Sequence, residues 1–166
     1  TIGAGYDNDG RPFLFKVRDR NNYNENKVYY NNAENVEEIS YVGLVNVGTN
    51  DIDGRTWAGV NQYGFSIVNA YVDYEEEATS TFNGEFMHHI LSTCKNFDDF
   101  NTYIDSYDYD DQNQFISANF LLMSANEDSQ NSRLKRFEKD EDGNYHIYDV
   151  LPSNPVCRSN FQIVDL

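Results

Sequence analysis

The feature that most limits the folds open to this chain is a single change of period in an otherwise strand-like sequence. Apolar residues recur at helical spacing between positions 83 and 104, as Phe86, Met87, Ile90, Leu91 and Cys94 and then as Phe97, Phe100 and Ile104. Asp98 and Asp99 suit the first turn of the second set, because a helix N-terminus favours negative charge. The spacing predicts two consecutive helices of about three turns each.

Short apolar runs on both sides of this segment predict strands. They cover residues 1–6, 12–18, 27–30, 39–47, 56–60 and 65–72 before the helices, and 116–124, 134–138, 145–150 and 156–163 after them. Asp9-Gly10, residues 61–64 and residues 140–143 supply hairpin turn signals. Strands, two helices and further strands predict an α+β fold, in which a helix layer packs on a largely antiparallel sheet.

Composition disfavours several classes of partner. The 166 residues carry a formal net charge of −16, which argues against binding to nucleic acid or to an anionic membrane surface. No apolar run approaches the roughly 20 residues of a membrane span. No repeat or linker divides residues 1–166, so we expect a single domain. The sequence does not decide whether the two cysteines, Cys94 and Cys157, form a disulfide. It also leaves the cellular compartment open, with an exported location favoured over the cytoplasm.

Cofactor and metal sites are not expected. Gly3 and Gly5 precede a hairpin rather than a helix, so they do not form a phosphate-binding loop. His88 and His89 are adjacent and would point about 100° apart on a helix, which prevents them from sharing a metal ion. The acidic turns at 7–10 and 140–143 lack the final glutamate of a calcium loop.

The first residue, Thr1, carries a hydroxyl and a free α-amino group. Such an amine can act as general base for the hydroxyl of the same residue, so the nucleophile and its base need no second side chain. The alternative is that threonine stands here by the accident of processing. Position alone leaves both alternatives open.

Three segments together resemble a known family. Residues 9–19, 57–69 and 157–161, in their order and separation, are similar to the N-terminal half of choloylglycine-hydrolase and penicillin-acyltransferase type proteins. These form a branch of the N-terminal-nucleophile hydrolases that acts on linear amides. Residues 94–100 resemble part of the helix pair that these proteins carry between the same strands. The resemblance covers nearly the whole chain and implies a four-layer αββα sandwich with largely antiparallel sheets.

The resemblance implies roles for five residues. Thr1 stands at the position of the nucleophile, which is usually cysteine in this branch and threonine in other N-terminal-nucleophile enzymes. Arg18 would lie beside it, where a fixed cation can orient a substrate carbonyl. Asp19 would hold the α-amine, with Asn21 as the alternative, because acid and amide are exchanged relative to the family's order. Asn69 matches an amide of the oxyanion hole, and Asn160 matches a second amide near the nucleophile or the leaving group.

The sequence therefore predicts an amidohydrolase that cleaves a linear carbon–nitrogen bond through an acyl-enzyme. Its substrate would be a small-molecule amide, such as an N-acyl amino acid or a conjugate, and it would need no cofactor. Family members are longer than this chain, so the resemblance implies a second chain or a longer protein that completes the fold, and a homo-oligomer stays open. Two alternatives remain: a catalytically silent protein of the same fold that binds a ligand, and an acidic, tyrosine-rich extracellular recognition module.

Overall fold

The computed structural model describes residues 1–17, 26–35, 38–46, 56–72, 82–109, 116–127, 132–140 and 144–159. Six strands precede the helices: β1 (Ile2–Tyr6), β2 (Pro12–Lys16), β3 (Asn26–Asn31), β4 (Tyr41–Asn46), β5 (Ala58–Asn61) and β6 (Phe65–Tyr71). The helices are α1 (Asn83–Thr93) and α2 (Phe97–Asp105). Four strands follow: β7 (Ala118–Ser124), β8 (Leu134–Lys139), β9 (Tyr145–Asp149) and β10 (Val156–Arg158).

The strands form two antiparallel sheets. The larger sheet holds seven strands in chain order, from β3 to β9, and the smaller sheet has the order β10-β1-β2. Every pairing within the two sheets is antiparallel. The predicted α+β class with largely antiparallel sheets is therefore confirmed.

The two faces of the seven-stranded sheet pack against different layers. One face packs against both helices, and its core includes Phe65 and Ile67 of β6 and Phe120 of β7. The opposite face packs against the small sheet, where Val68 and Leu121 meet Ile2. Because both faces are covered, β6 is buried at every position from 65 to 70. The described residues thus contain both sheets and one helix layer of the predicted four-layer sandwich.

Turn chemistry explains the first hairpin. The Asp7 carboxylate accepts hydrogen bonds from the backbone N–H groups of Asp9 and Arg11, at 2.9 and 2.8 Å. Gly10 adopts a φ of 75°, which a residue without a Cβ reaches at little cost. The same reasoning applies to Gly64, whose φ is 76°. Both predicted turns therefore form where the sequence places them.

Asn61 acts in the turn through its side chain rather than through its backbone conformation. Within the described residues only glycines have a positive φ, so Asn61 is not needed for its backbone conformation. Its Oδ1 accepts hydrogen bonds from the N–H groups of Tyr63 and Phe65, and its Nδ2 donates to the carbonyls of Leu91 and Cys94. The side chain therefore closes the β5–β6 turn and ties it to the end of α1.

Helix α2 begins where the sequence predicts. The Asn96 side chain accepts a hydrogen bond of 3.0 Å from the Asp99 backbone N–H, which satisfies one of the free donors at the helix start. At the start of α1, the Asn83 side chain instead exchanges two hydrogen bonds with the backbone of Ser117, at 2.8 and 3.0 Å. Within the described part of the chain, no helix combines the length and the apolar character needed to cross a membrane.

Both cysteines are free thiols, and they differ in accessibility. Cys157 is exposed, whereas Cys94 is buried, and burial raises the pKa of the Cys94 thiol to about 11. Iodoacetamide near pH 8 is therefore expected to alkylate Cys157 and to spare Cys94, because a thiol below its pKa has little of the reactive thiolate. Intact-mass spectrometry should show one adduct, none in Cys157→Ser, and a second only after unfolding. Rapid double labelling of the native chain would contradict the burial of Cys94.

Candidate active site

Thr1 lies at the end of the central strand of the small sheet. Its α-amine donates a hydrogen bond of 3.0 Å to the carbonyl of Val17, and the Val17 N–H donates to the Thr1 carbonyl at 2.8 Å. These two bonds continue the β1–β2 ladder by one residue pair. The residue is exposed, so its hydroxyl and amine are accessible while its backbone is held in place.

Two basic residues lie on either side of Ile2, the residue that follows Thr1. Ile2 lies opposite Lys16 on β2 and opposite Arg158 on β10. Residues directly opposite each other in antiparallel strands share a face of the sheet, and Ile2 is fully buried between the two sheets. Lys16 and Arg158 therefore stand on the inner face of the small sheet, on either side of the strand that carries Thr1.

Lys16 reaches Asn69 on the large sheet. Its Nζ donates to the Asn69 side-chain Oδ1 at 2.6 Å and also to the Asn69 backbone carbonyl. Asn69 is 1% exposed, and its Nδ2 is buried without a hydrogen-bond partner among the described residues. An amide donor buried in this way costs about 1 to 3 kcal/mol, so a free donor in native protein needs an explanation.

Arg158 reaches Glu138 on β8. The guanidinium contacts both carboxylate oxygens, at 2.7 and 3.2 Å, and Arg136 adds a third contact at 3.0 Å. Glu138 is 3% exposed. A buried carboxylate needs this degree of compensation, because removing one charge from water costs several kcal/mol. The ion pair between Arg158 and Glu138 therefore joins the two sheets beside β1, the strand that follows Thr1.

The inner face of the large sheet also carries a buried amide, that of Asn119, whereas Asn69 lies opposite Phe120, a residue of the helix-facing core. Asn119 of β7 pairs with Ala70 of β6, which packs toward the small sheet. Asn119 is 2% exposed, and its Nδ2 has no hydrogen-bond partner among the described residues. The inter-sheet layer is thus apolar in its interior and polar at the end that carries Thr1.

Two of the five predicted site residues can be placed. Thr1 and Asn69 are connected through the adjacent residues Val17 and Lys16, which bind the Thr1 amine and the Asn69 amide respectively. Arg18, Asp19 and Asn160 lie outside the described residues, as does Asn21. Their assigned roles stay predictions.

Sequence reasoning missed Lys16, Arg158, Glu138 and Asn119. A signal was nevertheless present in β2 and β8. Side chains alternate along a strand, so Lys16 points to the same side as Leu14, which packs in the core between the sheets. In the same way, Glu138 points to the same side of β8 as the buried Leu134. A charged residue at an inward strand position is uncommon unless it is paired, which marks both residues as candidates for a buried polar cluster.

A groove begins beside Lys16. It has a volume of about 480 Å³ and lies between β2 and the inner face of β3 to β6, within the range of roughly 300 to 1,000 Å³ of small-molecule sites. Most of its wall is apolar, with Leu14, Val42, Leu44 and Val68 among the residues that line it. Among the described lining residues, Lys16 is the charged one.

The histidines lie in another layer. His88 Nδ1 is 2.6 Å from the Tyr41 hydroxyl, and His89 stacks on Tyr103 in the helix layer. Burial, followed by the proximity of His88, lowers the pKa of His89. No group of three metal-binding side chains occurs within the described ranges. Since α1 packs on the face of the large sheet opposite the small sheet, these residues do not contribute to the cluster near Thr1.

A search of solved structures identifies a similar fold. A variant of conjugated bile acid hydrolase from Clostridium perfringens matches with a TM-score of 0.63 over 99% of this chain, at 10% sequence identity. The match covers 54% of that enzyme, so this chain spans about half of its length. No protein-family model and no curated protein matches the sequence. At this level of identity the similarity concerns the fold alone.

Proposed function

We propose that this chain carries the catalytic residues of an amidohydrolase that cleaves linear amides through Thr1. The observation that carries the proposal is the buried Asn69 Nδ2, which has no partner among the described residues. The same amide is bound through its Oδ1 by Lys16, the neighbour of the residue whose carbonyl binds the Thr1 amine. A preorganised amide donor without a ground-state partner suits an oxyanion that exists only during the reaction. The similarity in fold to a bile acid hydrolase supports the same class of chemistry.

The proposed reaction begins with attack of the Thr1 hydroxyl oxygen on the amide carbonyl carbon. The α-amine takes the hydroxyl proton as the new C–O bond forms, and Asn69 Nδ2 donates to the oxyanion of the tetrahedral intermediate. The C–N bond then breaks, and the proton passes from the α-amine to the leaving amine. Water, deprotonated by the same α-amine, attacks the carbonyl carbon of the ester on Thr1. The bond between this carbon and Oγ then breaks, the proton returns from the α-amine to Oγ, and the acid is released.

The Val17 carbonyl prepares the amine for this role. A neutral amine has two N–H groups and one lone pair, and the bond to Val17 uses one N–H. The lone pair stays available to accept the hydroxyl proton. The backbone pairing therefore orients the base without consuming its basic site.

The groove offers space for the acyl part of the substrate. Its apolar wall would hold a hydrocarbon group, and Lys16, which binds the Asn69 amide, is one of its lining residues. The proposed substrate is accordingly a small-molecule amide whose acyl portion is apolar, such as an N-acyl amino acid or a conjugate. The exposed position of Thr1 leaves room for the amine portion outside the groove.

The proposal includes a further segment or chain that completes the sandwich. Among the described residues, the small sheet covers the large sheet mainly at β6 to β8. Val28 of β3 and Val60 of β5, which line the same groove, are 65% and 44% exposed. Contiguous apolar surface on a strand face favours a covering partner. Residues 1–166 would then form one domain of a larger catalytic unit, and a second copy of this chain is the alternative partner.

An acylation experiment tests the role of Thr1. The full chain is treated with p-nitrophenyl butyrate, and adducts are located by intact-mass and peptide mass spectrometry. We expect one butyryl group on Thr1, none in Thr1→Ala, and retained labelling in Thr1→Ser, which keeps both the hydroxyl and the α-amine. A wild-type chain that stays unmodified, or an adduct that persists in Thr1→Ala, would remove Thr1 from the mechanism.

A further inference from the structure

Lys16 is a charged residue at an inward strand position, and its contacts with Asn69 restrict the amide of that residue. The Lys16 ammonium donates to Oδ1 and to the backbone carbonyl of the same residue, so Asn69 is gripped at two points. An ammonium has three donors and no acceptor, and a side-chain amide has an acceptor end and a donor end. Only one orientation of the Asn69 amide is compatible with this neighbour.

That orientation determines which end of the amide is left over. With Oδ1 bound to Lys16, the unpartnered end is the donor Nδ2, and this atom is buried. The flipped amide would bring two N–H donors against an ammonium and would leave the acceptor Oδ1 as the unpartnered end. An acceptor there would repel an oxyanion rather than stabilise it.

We propose that Lys16 is a positioning residue, which fixes the Asn69 amide with its donor Nδ2 free for the reaction. This inference rests on the proposed function, because it assigns the use of that donor to the Thr1 reaction. Lys16 acts through Asn69 and does not itself touch the reacting atoms. Its positive charge adds to the effect, since it polarises the amide and makes Nδ2 a stronger donor.

A purely structural role makes a different prediction. If Lys16 only tied the two sheets together, its replacement would lower stability and leave the amide orientation and the chemistry unchanged. If Lys16 positions the amide, replacement would change the Asn69 side chain first and the acylation rate with it. The two roles are therefore separable by measuring the amide and the rate independently.

The experiment compares Lys16→Gln, Lys16→Arg and wild type in the full chain. Glutamine is neutral and offers both a donor and an acceptor, so it does not enforce one orientation. Guanidinium is a donor only and should rescue the orientation. Lys27→Gln, on the exposed start of β3, is the control for the loss of one positive charge.

The first readout is the pair of ¹H–¹⁵N side-chain signals of Asn69, assigned by their absence in Asn69→Asp. We expect one sharp pair in wild type, Lys16→Arg and Lys27→Gln, and a broadened or doubled pair in Lys16→Gln. The second readout is the rate of p-nitrophenol release in the first turnover with p-nitrophenyl butyrate. Lys16→Gln should lower this rate about tenfold, with little change in the ester concentration that gives half-maximal rate.

The outcomes distinguish this inference from the proposed function. Unchanged Asn69 signals and an unchanged rate in Lys16→Gln, with Thr1 still acylated, would overturn the positioning role and leave the amidohydrolase in place. Changed signals without any Thr1-dependent acylation in wild type would show that Lys16 holds the amide but that the amide does not serve this reaction. That second result would overturn Thr1 as the nucleophile and, with it, the catalytic use of the amide that Lys16 positions.

Discussion

Replacement of Glu138 by alanine is expected to destabilise the folded chain by about 3 kcal/mol. Removing one partner of a buried ion pair commonly costs 3 to 5 kcal/mol, and the lower end applies because the two arginines retain partial access to water. Their side chains are 19% and 30% exposed, for Arg158 and Arg136 respectively. Urea denaturation followed by tryptophan fluorescence would measure the loss as a lower midpoint at similar slope.

Two controls isolate the effect of the buried charge. Glu138→Gln keeps the shape and one acceptor oxygen, so it should lose less stability than Glu138→Ala. Asp149→Ala breaks the more exposed contact with Lys135, where Asp149 is 50% exposed, and exposed pairs contribute less than about 1 kcal/mol. If Glu138→Ala and Asp149→Ala lowered the free energy of unfolding equally, the buried contacts of Glu138 with the two arginines would contribute no more stability than the exposed pair.

Replacement of Asn69 by aspartate is expected to slow acylation of Thr1 by about 10² to 10³-fold, the effect of removing one oxyanion donor in comparable sites. The carboxylate keeps an acceptor for Lys16 but has no N–H to offer. Because the contact with Lys16 becomes an ion pair, the fold should be retained. The measurement is the rate of the first turnover with p-nitrophenyl butyrate, with circular dichroism of the same sample as the check on folding.

The matched control is Asn144→Asp at an exposed position near the β8–β9 turn. It makes the same chemical change and adds the same charge at a residue whose described hydrogen bonds do not involve Lys16, Arg158 or Glu138, so its acylation rate should match wild type. An Asn69→Asp variant that also reacts at the wild-type rate would exclude the Asn69 side chain as the oxyanion donor. A backbone N–H would then be the remaining source of stabilisation.

The local elements of the fold could be predicted because their signals are local. Asp9-Gly10 supplies a positive-φ glycine, Asn96 supplies a helix cap, and helical spacing of apolar residues gives α1 and α2 within one residue of the observed bounds. Some strands are shorter than predicted, such as β7, which begins at Ala118 rather than at position 116, whereas β3 extends one residue further at each end. Part of the strand predicted over 156–163 lies outside the described residues. Periodicity does not reveal where pairing stops, because pairing depends on the neighbouring strand.

The division into two sheets, and the contacts of Lys16 and Arg158 between them, depend on pairing between strands that are far apart in the sequence. Arg158 becomes a neighbour of Glu138 only because β10 pairs with β1, and no spacing in the sequence expresses that pairing. Thr1 and Asn69 could be singled out through the family resemblance, whereas Lys16 could not, because the resemblance directed attention to Arg18. The alternation in β2 was the physical signal that pointed to Lys16 instead.

The central position of β1 in the small sheet has a consequence for the order of folding. Strand β1, which follows Thr1, pairs on one side with β10, a strand from the opposite end of the described chain. Contacts between such distant segments form late, because closing a long loop costs entropy before the contact contributes. During synthesis, β1 can pair with β10 only after residues 156–158 have left the ribosome, so the small sheet around Thr1 would be completed only when almost all of the chain between them has been synthesised.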